Sequence, residues 1–253
     1  MQVRFLPGTQ NIMKNKVAWI TGGKRIGQEI AVALSELGTD LVISYKSSEK
    51  EALEITEKVK PFGHKVLVLQ TDVSDQKSVS ESVEKIQKEF GKLDILVLLA
   101  SIFKPVKLED IEKKDWDANF SAHVKGTFWP IQSSIALMSP GSHIVTISDR
   151  TAIGRIYAGY LPYVVTKSAV AAMTRALAVE LGPKGIFINS IAPGPVLRPN
   201  DLSEAEWQKI RSESIIKYPI TDEEAVSEFV ETVLRLCLVR SSGAVYPLDF
   251  GHL

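Results

Sequence analysis

One cysteine in 253 residues, Cys237, leaves the chain without an internal disulfide and without a thiolate metal site. It stands in an apolar helical run with Val233, Leu234, Leu236 and Leu238, which predicts a buried small hydrophobe. An excess of one charge is also missing: 30 Lys and Arg balance 30 Asp and Glu, so the net charge is zero. Nucleic acids and anionic membranes attract proteins through a basic field, and neither is expected as a partner. His64, His123, His143 and His252 show no paired ligand spacing, so no metal is expected. The longest mainly apolar stretch, Ile95 to Phe103, is about half of what spans a bilayer. The first residues lack a continuous apolar core, so no secretory signal is expected and the cytoplasm is the default location. Residues 1–14 read as a flexible lead-in, with Met13 as an alternative start.

What is present is ordinary for a soluble globular chain: 45% hydrophobic and 24% charged residues, with 16 Gly and 12 Pro. A chain this long buries roughly three-quarters of its unfolded surface and needs no staple. Short β-rich runs alternate with helical patterns. Strands are predicted at Val17–Thr21, Leu41–Tyr45, Lys65–Gln70, Ile95–Leu99, His143–Ser148, Phe187–Ile191 and Ala244–Leu248. Helices are predicted at Ile26–Leu37, Ser48–Val59, Gln76–Phe90, Trp116–Met138, Tyr160–Leu181 and Glu223–Cys237. Within the first, Ile30, Ala31, Ala33 and Leu34 share the inner face. Ile95–Leu99 is apolar throughout, as a parallel strand covered on both faces would be. This alternation predicts an α/β fold, doubly wound, with a mostly parallel seven-stranded sheet and helices on both faces. Residues 15–253 read as a single domain, with a variable lid at about 197–218, where Asn200 and Asp201 are expected to begin a capped helix.

The chemistry-bearing residues fall at strand ends. The first strand runs into Thr21-Gly22-Gly23-Lys24-Arg25-Ile26-Gly27 and then a helix. Glycines let backbone approach a pyrophosphate, and the helix N-terminus supplies free N–H donors. Tyr45, Lys46 and Ser47 end the second strand, where an NAD site would carry an acidic residue. A lysine and hydroxyls suit a 2′-phosphate instead, with Lys24 and Arg25 adding charge; a solvated basic turn is the alternative. Asp72 and Val73, after the third strand, are placed to meet an adenine ring, or Asp72 is a helix cap. Tyr163 and Lys167, at i and i+4, share a helical face. At roughly 5 Å and an effective dielectric near 20, the ammonium would favour phenolate by about 3 kcal/mol. Lys167 is therefore expected to lower the Tyr163 pKa by about two units, towards usefulness as a proton donor and acceptor.

Taken in order, these motifs resemble those of the short-chain dehydrogenase/reductase family. The signs are Thr21–Gly27, Asp72–Asp75, Leu93–Ser101, Trp116-Asp117 seven residues before His123, Tyr163–Lys167, Phe187–Val196 and Leu248–Gly251. The resemblance implies a Rossmann-type fold, NADP(H) as cofactor, and Tyr163 as general acid/base with Lys167 on the nicotinamide ribose. It places Ala100, Ser101, Pro193, Gly194 and Val196 along the cofactor, and implies self-association as a homotetramer or homodimer.

Within the family the chain looks most like the pteridine reductase and dihydromonapterin reductase branch. It shares that branch's Lys24-Arg25 pair, its Ala100-Ser101-Ile102-Phe103 run, whose ring would cover the substrate, and Asp149 in place of the usual serine. Asp149 could share a proton with Tyr163 during hydride transfer to a C=N bond, and its charge would raise the tyrosine pKa against Lys167. The expected activity is reduction of a pterin-like or other planar C=N or C=O substrate. A 3-oxoacyl or other carbonyl reductase is the alternative, and a nucleotide-binding protein that lost catalysis is a third.

The chain also departs from the family. The glycine loop is one residue short, Leu98 and Leu99 replace two asparagines, and Asp249-Phe250-Gly251 replaces a double-glycine turn. His123 takes the position of the active-site asparagine, either to hold a water or as a packed, satisfied side chain. One extra residue between Asp149 and Tyr163 lets Arg150 compete for the aspartate's slot.

Overall fold

The computed structural model describes residues 13–22, 24–199, 202–218 and 220–252. Its seven strands are β1 (Val17–Thr21), β2 (Asp40–Tyr45), β3 (Val66–Gln70), β4 (Ile95–Leu98), β5 (His143–Ile147), β6 (Phe187–Pro193) and β7 (Val245–Leu248). They form one sheet in the order β3-β2-β1-β4-β5-β6-β7, and every pairing is parallel. Every residue of β1 and of β4 is buried, because helices cover both faces. Strand order reverses between β1 and β4, where Thr21 pairs with Leu98, and that crevice is where ligands of such sheets bind.

On one face lie α1 (Ile26–Glu36), α2 (Glu49–Val59) and α8 (Asp222–Leu236); on the other lie α3 (Gln76–Phe90), α5 (Gly126–Ser134) and α6 (Leu161–Leu181). The inner face of α1 buries Ile30, Ala31, Ala33 and Leu34, the set its periodicity implies. Cys237 is 1% exposed in the same core, and burial pushes its thiol up to about 12. No helix of the described residues is long and apolar enough to cross a membrane.

Four expectations differ from what is observed. The long helix at Trp116–Met138 is broken. It starts earlier, as α4 (Lys113–Asn119), where Glu112 and Asp115 form a capping box. It then passes through a π turn at Phe120–Lys125, α5 with Pro130 inside it, and a 3₁₀ turn at Ile135–Leu137. Helix α7 (Glu204–Ser212), in the segment expected to be a lid, is capped by Ser203 in a capping box with Glu206. Asn200 and Asp201, expected to cap it, lie outside the described residues, as do residues 1–12 of the lead-in. Met13, expected in the lead-in, is fully buried, and its carbonyl accepts from Thr39 Oγ1 at 3.2 Å. Strand β6 runs two residues beyond its expected end, carrying Pro193 to the crevice.

Candidate active site

A cleft of about 1160 Å³ runs along the carboxyl ends of the strands, from the turn after β1 to the start of α6. At one end Gly22 has φ 76°, and its N–H donates to the Ser44 carbonyl at 3.1 Å. A Cβ at Gly22 would lie 3.1 Å from Ala100 backbone atoms, so only glycine allows this approach. Helix α1 opens at once, with Arg25 before it at φ 55°. The start of that helix lines the cleft, and in its first turn the Gly27 and Gln28 N–H groups donate to the Lys24 and Arg25 carbonyls at 3.1 Å. Gly194 closes the far side: a Cβ there would meet the Asp249 carbonyl at 2.6 Å. Gly22, Lys24, Arg25, Ile26, Tyr45, Lys46, Ser47, Asp72 and Val73 all line this cleft. So do Ala100, Ser101, Phe103, Asp149, Tyr163, Lys167, Pro193, Gly194 and Val196. Gly23 is outside the described residues.

The cations expected at a 2′-phosphate have protein partners. Lys24 pairs with Glu51 at 2.5 Å, Lys46 with Asp72 at 2.6 Å, and Arg25 Nη2 donates to the Arg198 carbonyl at 2.6 Å. The Lys46 side chain is 69% exposed, so its pair is held by well under about 1 kcal/mol and opens readily to an anion. Asp72 also accepts from the Ser74 N–H and hydroxyl.

At the other end the Tyr163 hydroxyl donates to Asp149 Oδ2 at 2.9 Å, while Asp149 Oδ1 accepts from the Thr151 N–H at 2.9 Å. Asp149, not Arg150, therefore occupies the slot beside the tyrosine. Burial, then the Asp149 charge, pushes the Tyr163 phenol well above its ordinary value. The net direction is the one expected of Asp149, not the one expected of Lys167. The Lys167 ammonium donates to the Ile147 carbonyl at 2.8 Å and stands 5.8 Å from the Tyr163 ring centroid. Burial depresses Lys167 itself to about 8, so it remains a cation at neutral pH.

His123, set on the π turn, does not line the cleft but stands behind its wall, 1% exposed. Its Nε2 accepts from the Ile102 N–H at 3.2 Å and lies 3.0 Å from Ser101 Oγ. Its Nδ1 lies 2.8 Å from Thr166 Oγ1, which also donates to the carbonyls of Pro162 and Tyr163. Burial and the Lys167 charge depress the imidazole to about 3, so it is neutral. Of the two sequence readings, the packed and satisfied histidine is the one observed. The ring ties the loop after β4 to the turn that carries Tyr163.

Two aromatic residues escaped the sequence reading. Tyr160 stacks on Phe103 at 4.4 Å and 13°, and Phe103 meets the Tyr163 ring edge-on at 4.9 Å. Tyr157 meets Tyr160 edge-on at 5.2 Å; its phenol is raised by burial and by the charge and hydrogen bond of Asp149. The spacing of Tyr157, Tyr160 and Tyr163, three apart each time, was the available signal. Helix α7 is held by Arg211, which pairs with Asp222 at 2.8 Å and lies over the Trp207 ring at 5.1 Å.

Comparison with known proteins decides the family. A family model described as enoyl-(acyl carrier protein) reductase matches residues 22–249. The chain belongs to the short-chain dehydrogenase/reductase family. As a short-chain dehydrogenase/reductase it is an NAD(P)H-dependent oxidoreductase. It is 36% identical over 190 residues to general stress protein 39 of Bacillus subtilis, covering 74% of this chain and 66% of that one. It is 35% identical over 205 residues to the (2S)-[(R)-hydroxy(phenyl)methyl]succinyl-CoA dehydrogenase subunit BbsD of Thauera aromatica, covering 79% and 82%. A short-chain dehydrogenase from Burkholderia cenocepacia, solved in complex with NADP, superposes with a TM-score of 0.84 at 31% identity, covering 95% of this chain and 98% of that one.

Proposed function

We propose that this short-chain dehydrogenase/reductase is an NADPH-dependent reductase of a planar, pterin-like substrate with a C=N or C=O bond. The observation that carries the reading is the buried Asp149–Tyr163 pair set beside the Phe103–Tyr160 stack. The close backbone approach at Gly22 supports this reading: that turn and the start of α1 would hold the pyrophosphate, and Lys24, Arg25, Lys46 and Ser47 the 2′-phosphate. Lys167 would hold the nicotinamide ribose; Pro193, Gly194 and Val196 would line the nicotinamide end. The nicotinamide supplies the hydride.

The remaining work belongs to the chain's own side chains. Phe103 and Tyr160 present flat apolar faces that orient a planar ring and exclude water. Tyr163, kept protonated by its raised pKa, donates the proton through its hydroxyl oxygen. Asp149 accepts that hydroxyl in the resting state and keeps the proton on the phenol. His123 acts as a positioning residue, not as a proton carrier, since a group that titrates near 3 stays neutral at working pH.

The test is NADPH oxidation by the purified protein with dihydropterin against acetoacetyl thioester. The reading expects a clear preference for dihydropterin, and for NADPH over NADH. Turnover of the thioester alone would instead favour a carbonyl reductase. The relative of Staphylococcus aureus named 3-oxoacyl-[acyl-carrier-protein] reductase, 29% identical over 207 residues, supports that second reading. We also infer a cytoplasmic homo-oligomer, dimer or tetramer, with both ends of the cleft in one Rossmann-type unit. Light scattering that finds only a monomer would remove the self-association.

A further inference from the structure

Lys24, Arg25, Lys46, Arg150 and Lys167 line the cleft. Lys24 and Lys46 face carboxylates, Arg25 is turned to the Arg198 carbonyl, and Lys167 to the Ile147 carbonyl. Arg150 differs. It lies at the Tyr163 end, is partly buried, and makes no ion pair with any described residue. Its Nη1 donates to the His252 carbonyl at 2.7 Å, and its guanidinium lies over the Tyr157 ring, 5.3 Å from the centroid. Nε and Nη2 have no acceptor among the described residues. A partly buried guanidinium without a counter-charge is costly unless something supplies one.

We propose that Arg150 is a carboxylate-binding subsite, so that the substrate carries an anionic carboxylate besides the planar group that is reduced. The geometry suits such an occupant. His252 holds one nitrogen, and the Tyr157 face fixes the plane of the guanidinium. The remaining Nε and Nη2 form the edge that takes two carboxylate oxygens side by side. Asp149, next in the chain, does not compete, because its oxygens accept from Tyr163 and Thr151. The Arg150 charge nevertheless reaches the Tyr163 and Tyr157 phenols, where it counters part of the Asp149 effect. A bound carboxylate therefore sits close to the reacting end. The substrate class becomes a planar conjugated carboxylic acid or an aromatic ring bearing a carboxylate.

This deepens the reductase reading and rests on it for the neighbouring chemistry, but the test reads binding alone. The probes are 2-naphthoate and 2-naphthamide, flat and alike in size, titrated into the full chain with NADP⁺ present. The unaltered protein should bind 2-naphthoate about tenfold more tightly than the amide, as one charge-assisted bidentate contact implies. Arg150→Gln should remove that preference while leaving the amide affinity unchanged. Arg150→Lys should keep the charge but lose most of the preference, since an ammonium cannot form the fork. Lys therefore also serves as the second variant should Gln fail to fold. Equal binding of the two probes, binding of neither, or a preference that survives Arg150→Gln overturns the subsite. Absence of dihydropterin turnover alongside an Arg150-dependent preference removes the pterin and keeps the subsite.

Discussion

The Tyr163 hydroxyl donates to Asp149 Oδ2 at 2.9 Å, in a place where both side chains are under a tenth exposed. Burial favours the neutral phenol, and so does a carboxylate so close, the direction expected of Asp149 from the sequence and opposite to that expected of Lys167. The balance of the three makes Tyr163 a group that holds its proton until a substrate takes it.

Tyr163→Phe should lower kcat by about 10²–10⁴-fold while leaving NADPH affinity near normal, because only the proton donor is removed. Stopped-flow turnover together with nucleotide titration checks both halves. Loss of nucleotide binding in parallel would mean that the ring, not the hydroxyl, is what matters.

Asp149→Asn should shift the pH dependence of kcat in a defined direction. Tyr163 must be protonated to donate, and its pKa is raised by burial and by the Asp149 charge. Removing the charge takes away the second cause, so the alkaline fall in kcat should move to lower pH. A profile from pH 7 to 11 reads this; an alkaline limb that does not move would show that burial alone sets the phenol.

Stability should fall in mild acid. His123 is depressed from 6.5 to about 3 and His143 to about 4, in each case first by burial. Folded values below unfolded ones mean that their full contribution is present above pH 6.5 and is lost as the pH falls towards 3–4. At pH 5 each costs about 2 kcal/mol, since the unfolded chain takes up a proton that the fold refuses. Urea unfolding at pH 7 and 5 should therefore show His123→Asn losing about 2 kcal/mol less than the unaltered protein across that interval. Equal losses would place the acid sensitivity elsewhere.

Phe103→Ala removes a ring stacked at 4.4 Å on Tyr160. The expected result is a rise in substrate KM of about tenfold with a smaller change in kcat, because a stacking face of about 1–1.5 kcal/mol binds ground and transition states alike. Steady-state kinetics separates the two constants; a fall in kcat at constant KM would give Phe103 a part in the chemistry instead.

Arg25→Ala and Lys46→Ala should each weaken NADPH about tenfold and NADH hardly at all, since only the former carries a 2′-phosphate. Fluorescence titration with both nucleotides reads the difference. Parallel losses for the two would place these cations on the pyrophosphate.

The seven parallel strands were legible because each is a short, mainly apolar run, and in β1 and β4 burial on both faces demands that pattern locally. The same holds for α1, α3 and α6, whose limits fell within one residue of expectation. The gathering of Gly22, Lys46, Tyr163 and Gly194 on one cleft followed from their places at strand ends, once the sheet was parallel. Other features depended on partners far away in the chain. The π turn at Phe120–Lys125 carries His123, whose nitrogens meet Ile102 and Thr166, 21 and 43 residues distant. No periodicity within Trp116–Met138 encodes those contacts. The Tyr163–Lys167 spacing gave neighbourhood but not dielectric: burial, and a carbonyl at Ile147, turned the lysine away from its expected effect. Local periodicity thus determined the elements and their order, because it needs only the chain's own repeat. Desolvation and side-chain direction were decided by the tertiary structure, because both depend on what packs against a residue from another strand or helix.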